Sequence, residues 1–171
     1  MTMTINGSGT ITGLVAGGLP DATITQPDLA TGVAGTGPAF SAYQSSAQSV
    51  TANTNTKLQF QTEEFDTANA FDSTTNYRFT PQVAGYYQVN AALVLTATRT
   101  YVLAKIYKNG FSYKVGNSGN GTVNMGGSVS CLVYLNGSTD YIEAYGVVGV
   151  TQNLSSDPND TWFQAAMIRG A

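Results

Sequence analysis

The sequence predicts an all-β fold, a sandwich or barrel of short strands. No stripe of apolar residues recurs with a 3.6-residue period over the length of a helix. The chain after residue 37 consists instead of β-prone segments that are separated by Gly, Asn and Pro. About eight to ten such segments in roughly 130 residues are typical of a sandwich or barrel.

The predicted strands begin at Ala39 and continue to the carboxyl end of the chain. In the second of them, Leu58 and Phe60 alternate with glutamines, which indicates one buried face and one wet face. Pro81 ends the third strand, because proline lacks the N–H group that a ladder needs. The complete set of predicted strands is 39–44, 56–62, 76–80, 85–96, 100–107, 111–115, 128–135, 139–150 and 161–168.

Two Asn-Gly pairs predict hairpin turns. Asn109-Gly110 lies between two β-prone segments and is typical of a type I′ turn, in which both central residues have positive φ. Asn136-Gly137 predicts a second hairpin. Residues 116–127 and 151–160 are predicted to be polar loops.

The composition excludes several kinds of activity. The chain has no His and one Cys, which excludes His-dependent catalytic triads, His- or Cys-ligated zinc and an intrachain disulfide. Seven Lys and Arg against ten Asp and Glu give a net charge of −3, so we expect no nucleic-acid binding. No apolar run approaches the roughly 18 residues of a transmembrane helix, and the first residues do not resemble a signal peptide. We therefore expect neither membrane insertion nor enzymatic activity.

The chain divides near residue 38. Residues 1–37 contain no Lys, Arg or aromatic residue and are rich in Gly and Thr, so they cannot bury enough apolar surface to fold alone. We interpret them as an N-terminal arm for attachment or oligomerisation. Residues 38–171 form the predicted globular head, and 35–38 the hinge.

Residues 60–89 resemble the signature of complement C1q-like globular heads, which are related to the tumour necrosis factor fold. The residues at or close to the signature spacing are Phe60, Asp66, Phe71, Phe79, Gly85 and Tyr87. Phe79 comes one position late, Val89 stands where the signature has Phe, and Ala91 replaces an aromatic residue. These departures from the signature affect the predicted register of the strands in this region and leave the predicted fold unchanged.

Three further segments resemble the same family in the same order, so that the resemblance covers about residues 38–170. Residues 108–110 resemble its central Lys-Asn-Gly hairpin, 135–140 its Leu-x-x-Gly-Asp turn, and 161–168 its closing strand. The resemblance implies a ten-strand jelly roll that assembles as a homotrimer. It also implies that Tyr87, Val89 and Ala91 lie on a strand facing the threefold axis. Phe60, Phe71, Phe79 and Trp162 are expected in the core.

The arm carries a second resemblance. Residues 11–21 and 24–30 are similar to leader segments of bacteriophage fibre and other virion proteins. This implies a virion surface appendage: residues 1–37 contact other virion proteins, and the head, as a short tail or baseplate fibre, contacts a host polysaccharide or protein. The alternative is a capsid decoration or head-fibre protein with a purely structural role.

One acidic cluster is a candidate metal site. Glu63, Glu64, Asp66 and Asp72 supply carboxylates of the kind that bind Ca²⁺, although the Asp-x-Asp-x-Asp-Gly loop is absent. Two alternatives are a solvated acidic loop and a glycosidase carboxylate pair. Calcium is thus the one ion the sequence points to, and no other cofactor is expected.

A polar-ligand surface is predicted around the first hairpin. Tyr107, Phe111 and Tyr113 are aromatic residues that can stack on sugars wherever they face outward. Asn117, Asn120 and Asn124 in the following loop supply amides. The alternative is that the aromatic residues belong to the core. Cys131 lies in an apolar strand and is predicted to be a buried, unreactive thiol.

Overall fold

A computed structural model describes residues 36–96, 101–119 and 125–171, and all regular structure in these residues is β. The strands are β1 (Ala39–Tyr43), β2 (Ser49–Val50), β3 (Thr56–Lys57), β4 (Thr62–Asp66), β5 (Phe71–Asp72), β6 (Arg78–Phe79), β7 (Ala84–Val94), β8 (Val102–Lys108), β9 (Phe111–Gly119), β10 (Gly126–Asn136), β11 (Ile142–Val148), β12 (Gln152–Asn153) and β13 (Trp162–Gly170). Among the residues so described, no helix has the length and apolar character needed to span a bilayer.

Antiparallel pairing joins most of these strands into one long ladder. Its order is β4-β1-β13-β7-β10-β9-β8-β11-β6-β5, β3 also pairs with β11, and β12 pairs with β2 separately. We call β4, β1, β13, β7 and β10 the first layer, and β9, β8, β11, β6, β5 and β3 the second layer. Among the described residues, the two layers are joined by a short pairing of Gly127 with Ser118 and of Ser128 with Asn117.

The ladder folds over on itself, so the two layers form a sandwich. Phe40 of β1 stacks on Phe71 of β5 at 4.5 Å between ring centroids and on Phe79 of β6 at 4.6 Å. Phe163 of β13 meets Phe40 edge-on at 5.0 Å. Since β1 and β6 are far apart in the ladder, these contacts require the layers to face each other. The all-β sandwich prediction is confirmed, with five of the strands only two residues long.

Glycine at the seam lets the layers approach. A Cβ on Gly116 of β9 would collide with the backbone carbonyl of Ser128 on β10, so any larger residue would push the strands apart at this crossing. Residues 116–119 therefore belong to β9 and are not part of a loop, and β10 begins at Gly126. The predicted 116–127 loop is wrong at both ends, and its centre, 120–124, lies outside the described residues.

The two predicted hairpins have different outcomes. Asn109 (φ 52°) and Gly110 (φ 80°) both have positive φ, which confirms the predicted two-residue turn. The second prediction is wrong, because β10 pairs with β7 and β9 whereas β11 pairs with β8, β6 and β3. The connection from Asn136 to Ile142 instead crosses from the first layer to the second. Its first residue, Asn136, accepts hydrogen bonds at Oδ1 from the N–H groups of Ser138, Thr139 and Asp140 and so closes a wider loop.

Three core predictions are confirmed and one is wrong. Phe60, Phe71 and Phe79 are buried, as expected. Trp162 is only half-buried, and the fully buried aromatic residue of β13 is its neighbour Phe163. The reason is that buried Thr161, whose Oγ1 accepts a hydrogen bond from the N–H of Val94, takes the inward position before Trp162. Leu58 and Phe60 are buried as predicted, but 56–62 is not one strand.

Candidate binding surfaces

The outer side of the first layer is a face without charge along its two longest strands. We call it the first face and define it by the outward large residues Phe65, Tyr86, Leu132, Tyr134 and Ile168, which are 42–52% exposed. The outward positions of β7 and β10 contain no charged residue. Several large apolar side chains that are exposed together on one side of a folded chain are typical of an interaction site.

Amide side chains fill the centre of the first face. Gln88 Nε2 donates to Ser130 Oγ at 2.9 Å and lies 3.2 Å from Asn90 Oδ1. Beside them, a shallow hollow of about 220 Å³ is lined by Gln88, Asn90, Gln164 and, on its apolar side, Phe65. The face thus combines apolar contact area with neutral hydrogen-bonding groups.

Strand β9 carries exposed apolar residues where the ladder passes from the first layer to the second, and its Val115 lies opposite Lys105 of β8. Phe111 is 79% exposed and Val115 is 55% exposed. Tyr113 reaches across to β10, where its hydroxyl donates to the carbonyl oxygen of Leu132 at 3.1 Å. The side chains of residues 111–115 are all exposed, although the strand lies inside the ladder.

The residues predicted to face a threefold axis are part of the chain's own core. Tyr87, Val89 and Ala91 have no exposed surface in the single chain. The Tyr87 hydroxyl donates to the carbonyl oxygen of Val83 at 2.7 Å, and burial raises the pKa of Tyr87 to about 12. These three side chains therefore cannot contact another copy of the chain, because the side chains of a strand alternate and the outward ones on β7 include Tyr86 and Gln88.

The outer side of the second layer is chemically different. We call it the second face and define it by two rows of outward residues: Arg78, Glu143 and Tyr107, and beside them Lys57, Tyr145 and Lys105. Three of the seven basic residues in the sequence lie here. The face therefore combines tyrosines with cations, whereas the first face combines aromatic and aliphatic residues with amide groups.

The tyrosines of the second face form a stacked pair. The rings of Tyr107 and Tyr145 lie 3.9 Å apart at an interplanar angle of 20°. Burial, together with the nearby Glu143 carboxylate, raises the pKa of Tyr145 to about 12. Glu143 is 3% exposed and forms an ion pair with Lys57, so its charge is balanced inside the face.

The remaining cations of the second face contact neutral groups. The Arg78 guanidinium lies 4.5 Å from the centroid of the Tyr141 ring. Lys105 Nζ donates to Asn55 Oδ1 at 2.8 Å. Within residues 36–96, 101–119 and 125–171, the ion pairs are Lys57–Glu143 and Lys108–Asp140, so neither Arg78 nor Lys105 is paired with a described carboxylate.

The predicted polar-ligand residues do not form one site. Tyr107 belongs to the second face, whereas Phe111 and Tyr113 lie on β9 toward the first face. Asn117 is part of β9 and pairs with Ser128. Asn120 and Asn124 lie outside the described residues.

Sequence reasoning missed the partners of Tyr107 on the second face. Tyr145 and Arg78 come from strands distant in the sequence, and only the pairing of β11 with β8 and β6 brings them beside Tyr107. The one local signal is the alternation of Lys105 with Tyr107, which places both on the same side of β8.

The acidic cluster is not assembled into a metal site. Asp66 accepts hydrogen bonds from the N–H groups of Ala68 and Phe71, and Glu64 accepts one from Ser41 Oγ at 2.6 Å. Glu63 is exposed on the neighbouring position of β4. In the part of the chain that the structure describes, no three acidic or Cys side chains are grouped so as to hold an ion.

Asp72, the fourth residue of that cluster, closes a turn. Its carboxylate accepts hydrogen bonds from the N–H groups of Thr74, Thr75 and Asn76. These bonds, the one from Thr75 foremost, hold the pKa of Asp72 far below its ordinary value. The residue is thus engaged in local structure, as aspartates in such turns commonly are.

Cys131 lies on the inward side of β10 but is only half-buried, against the prediction of a buried thiol. Burial raises the pKa of the Cys131 thiol, and the nearby Lys114 ammonium acts in the opposite direction. A thiol with a raised pKa is less reactive at neutral pH, because less of it is thiolate. This agrees with the prediction that the thiol is unreactive.

Comparison with solved structures shows the fold. The globular domain of a zebrafish complement C1qA protein matches with a TM-score of 0.60 at 18% identity, covering 79% of this chain and all of the other. The Eiger tumour necrosis factor protein of S. frugiperda matches with a TM-score of 0.60 at 9% identity, covering 78% and 92%. Murine APRIL matches with a TM-score of 0.55 at 10% identity, covering 76% and 98%.

These matches give the class of the protein: the chain has a C1q/tumour necrosis factor-like jelly-roll fold. No family model matches it, and no curated protein matches its sequence. At identities of 9–18%, the structural likeness shows the fold and leaves function to the residues of the two faces.

Proposed function

We propose that the chain is a non-enzymatic virion protein that works as a homotrimer. Its head contacts the host surface as a short tail or baseplate fibre, and residues 1–37 attach it to other virion proteins. The resemblance of 11–21 and 24–30 to bacteriophage leader segments supports the virion role. The single observation that carries the homotrimer is the row of neutral outward residues on β7 and β10, among which Leu132 is 52% exposed in the single chain.

The first face suits contact with copies of the same chain. Side chains close to a threefold axis meet their own equivalents, so a charged residue there would be buried against like charges. The outward positions of β7 and β10 avoid this, since they contain only neutral residues. Gln88 and Asn90 still offer hydrogen bonds across the contact, which apolar residues alone would not.

Strand β9 supplies a second surface for the same contact. Phe111 is exposed at the start of β9, Tyr113 reaches across to β10, and the hollow beside Phe65 is open on the first face. When an edge of one copy packs on the face of the next, the contact is heterologous, and it closes into a ring if the rotation allows. We propose that the ring closes with three copies of the chain.

The second face stays free for a ligand in such an assembly. It lies on the opposite side of the sandwich from the first face, and its tyrosines and cations remain at the surface of each copy. We therefore assign assembly to the first face and host contact to the second.

The function is tested by adsorption and by copy number. The purified full chain should bind susceptible host cells and compete with the intact particle for adsorption, and a few dozen copies or fewer should be present in each particle. Hundreds of copies without cell binding would replace the fibre with the capsid-decoration alternative. Absence of the chain from purified particles would overturn the virion role itself.

A further inference from the structure

We propose that the second face is a binding site for an acidic saccharide, one whose sugars carry carboxylates. The inference rests on the proposed function, because it names the chemistry that the head recognises on the host surface. Three observations carry it: the Tyr107–Tyr145 pair, two cations without carboxylate partners, and carboxylates of the same face that are already engaged.

The tyrosine pair supplies an aromatic platform. Its rings are nearly parallel and each is half-buried, so the strands hold them in place while part of each ring meets solvent. Such a fixed aromatic surface binds the apolar face of a sugar ring without a large cost in side-chain entropy.

The unpaired cations stand on either side of this platform. Arg78 lies on β6 and Lys105 on β8, and β11 runs between these strands. Arg78 is level with Glu143 of β11 and Lys105 with Tyr145, so two strand spacings and a two-residue offset put their backbones about 12 Å apart. A saccharide that crosses the tyrosines therefore meets one cation on each side, and a carboxylate on a sugar forms a charge-assisted hydrogen bond with either.

The acidic residues of the face do not repel such a ligand strongly. Glu143 is almost fully buried and paired with Lys57. Asp72, which lies beside Arg78 in the pairing of β5 with β6, accepts several hydrogen bonds from the turn that follows it. The Glu143 charge is balanced by Lys57 and the Asp72 carboxylate is held in its own turn, whereas Arg78 and Lys105 have no ion pair with a described carboxylate.

The charge pattern favours a saccharide over a nucleic acid. Duplex DNA carries a charge about every 1.7 Å, and proteins that hold it neutralise many phosphates at once. The second face offers two uncommitted cations on a chain whose net charge is −3. That number suits a ligand with sparse carboxylates.

The test measures binding of the full chain to immobilised polygalacturonate, with its methyl ester as the uncharged probe of the same backbone and duplex DNA as a second polyanion. Arg78→Gln and Lys105→Gln should each weaken binding to polygalacturonate about tenfold, the loss of one charged contact. Lys114→Gln is the matched control, because Lys114 lies on β9 and contacts the Tyr113 ring outside this face. Melting curves confirm that each variant is folded.

The expected result is binding to polygalacturonate, much weaker binding to the methyl ester and to DNA, and a loss confined to Arg78→Gln and Lys105→Gln. Equal binding to the methyl ester, an equal loss in Lys114→Gln, or no binding to polygalacturonate would overturn the inference. If the Arg78 and Lys105 variants still bind host cells as the wild type does, the inference fails while the proposed function stands. If the chain binds polygalacturonate but does not bind host cells, the proposed function fails while the proposed saccharide site stands.

Discussion

The two outer faces of the sandwich are built by the same alternation of strand residues and have opposite chemistry. On the first face, Leu132 and Tyr134 are exposed in a row whose outward residues on β7 and β10 are all neutral. On the second, a buried carboxylate is paired with Lys57 and two tyrosines stack between cations. In both layers one side of each strand faces the core and the other side faces outward. The packing of the core therefore does not determine which residues occupy the outer positions. The difference supports the proposal that other copies of the chain cover the first face and that the second face remains exposed to solvent.

The largest effect is expected from breaking the core that both faces share. Phe163 is fully buried and contacts Phe40, Phe60 and Phe71 across the two layers. Phe163→Ala should lower the free energy of unfolding by about 3–5 kcal/mol, the usual cost of removing a buried Phe side chain. Denaturant unfolding measures it. Trp162→Ala, one residue earlier and half-buried on the outer side, is the control and should cost clearly less.

The next effect concerns the first face. Leu132→Asp places a carboxylate where copies of the chain are proposed to meet, and burying an unpaired charge costs about 3 kcal/mol or more. The assembly should dissociate at concentrations where the wild type is intact, with the far-ultraviolet circular dichroism unchanged. Val150→Asp is the matched control, because Val150 is 56% exposed and lies outside both faces. An equal loss of assembly in the two variants would contradict the role of the first face.

A smaller effect is expected at the ion pair of the second face. Glu143→Gln keeps the side-chain shape and removes the charge that balances Lys57. The free energy of unfolding should fall by about 1.5–3 kcal/mol, the range for hydrogen bonds to charged groups, and toward its lower end because the Lys57 side chain is 34% exposed. The double variant Lys57→Gln, Glu143→Gln should cost less than the sum of the single ones. Strict additivity would mean that the two residues do not interact.

The smallest effect depends on pH. The hydrogen bonds of the 72–76 turn keep the pKa of Asp72 lower in the folded chain than in the unfolded one. The stability that the carboxylate contributes is therefore complete above its unfolded pKa, about 4, and is lost as the pH falls toward the folded pKa. The melting temperature of Asp72→Asn should fall less steeply than that of the wild type below about pH 4. Parallel melting curves would show that Asp72 does not contribute in this way.

Much of the fold could be predicted because its signals are local. The alternation around Leu58 and Phe60, the Asn109-Gly110 turn and the spacing of Phe71 and Phe79 each depend on a few neighbouring residues. Where the prediction failed, a tertiary contact decided the outcome. Gly116 extends β9 because it crosses β10 closely, which no local pattern reveals.

The candidate sites were harder to predict because they depend on which strands become neighbours. The burial of Tyr87 beside the exposed Tyr86 follows directly from the two-residue period of a strand, since a shift of one residue exchanges core and surface. The second face needs β6, β8 and β11 side by side, and those strands lie far apart in the sequence. Tyr107 could be singled out from the sequence, whereas its partner Tyr145 could not.

The assignment of assembly to the first face and of host contact to the second is tested most directly by the molar mass of the full chain in solution. Light scattering after gel filtration, over a range of concentrations, should give about three times 17.9 kDa for the wild type. A mass of 17.9 kDa at every concentration would contradict the account, because the first face would then have no copy of the chain to cover it.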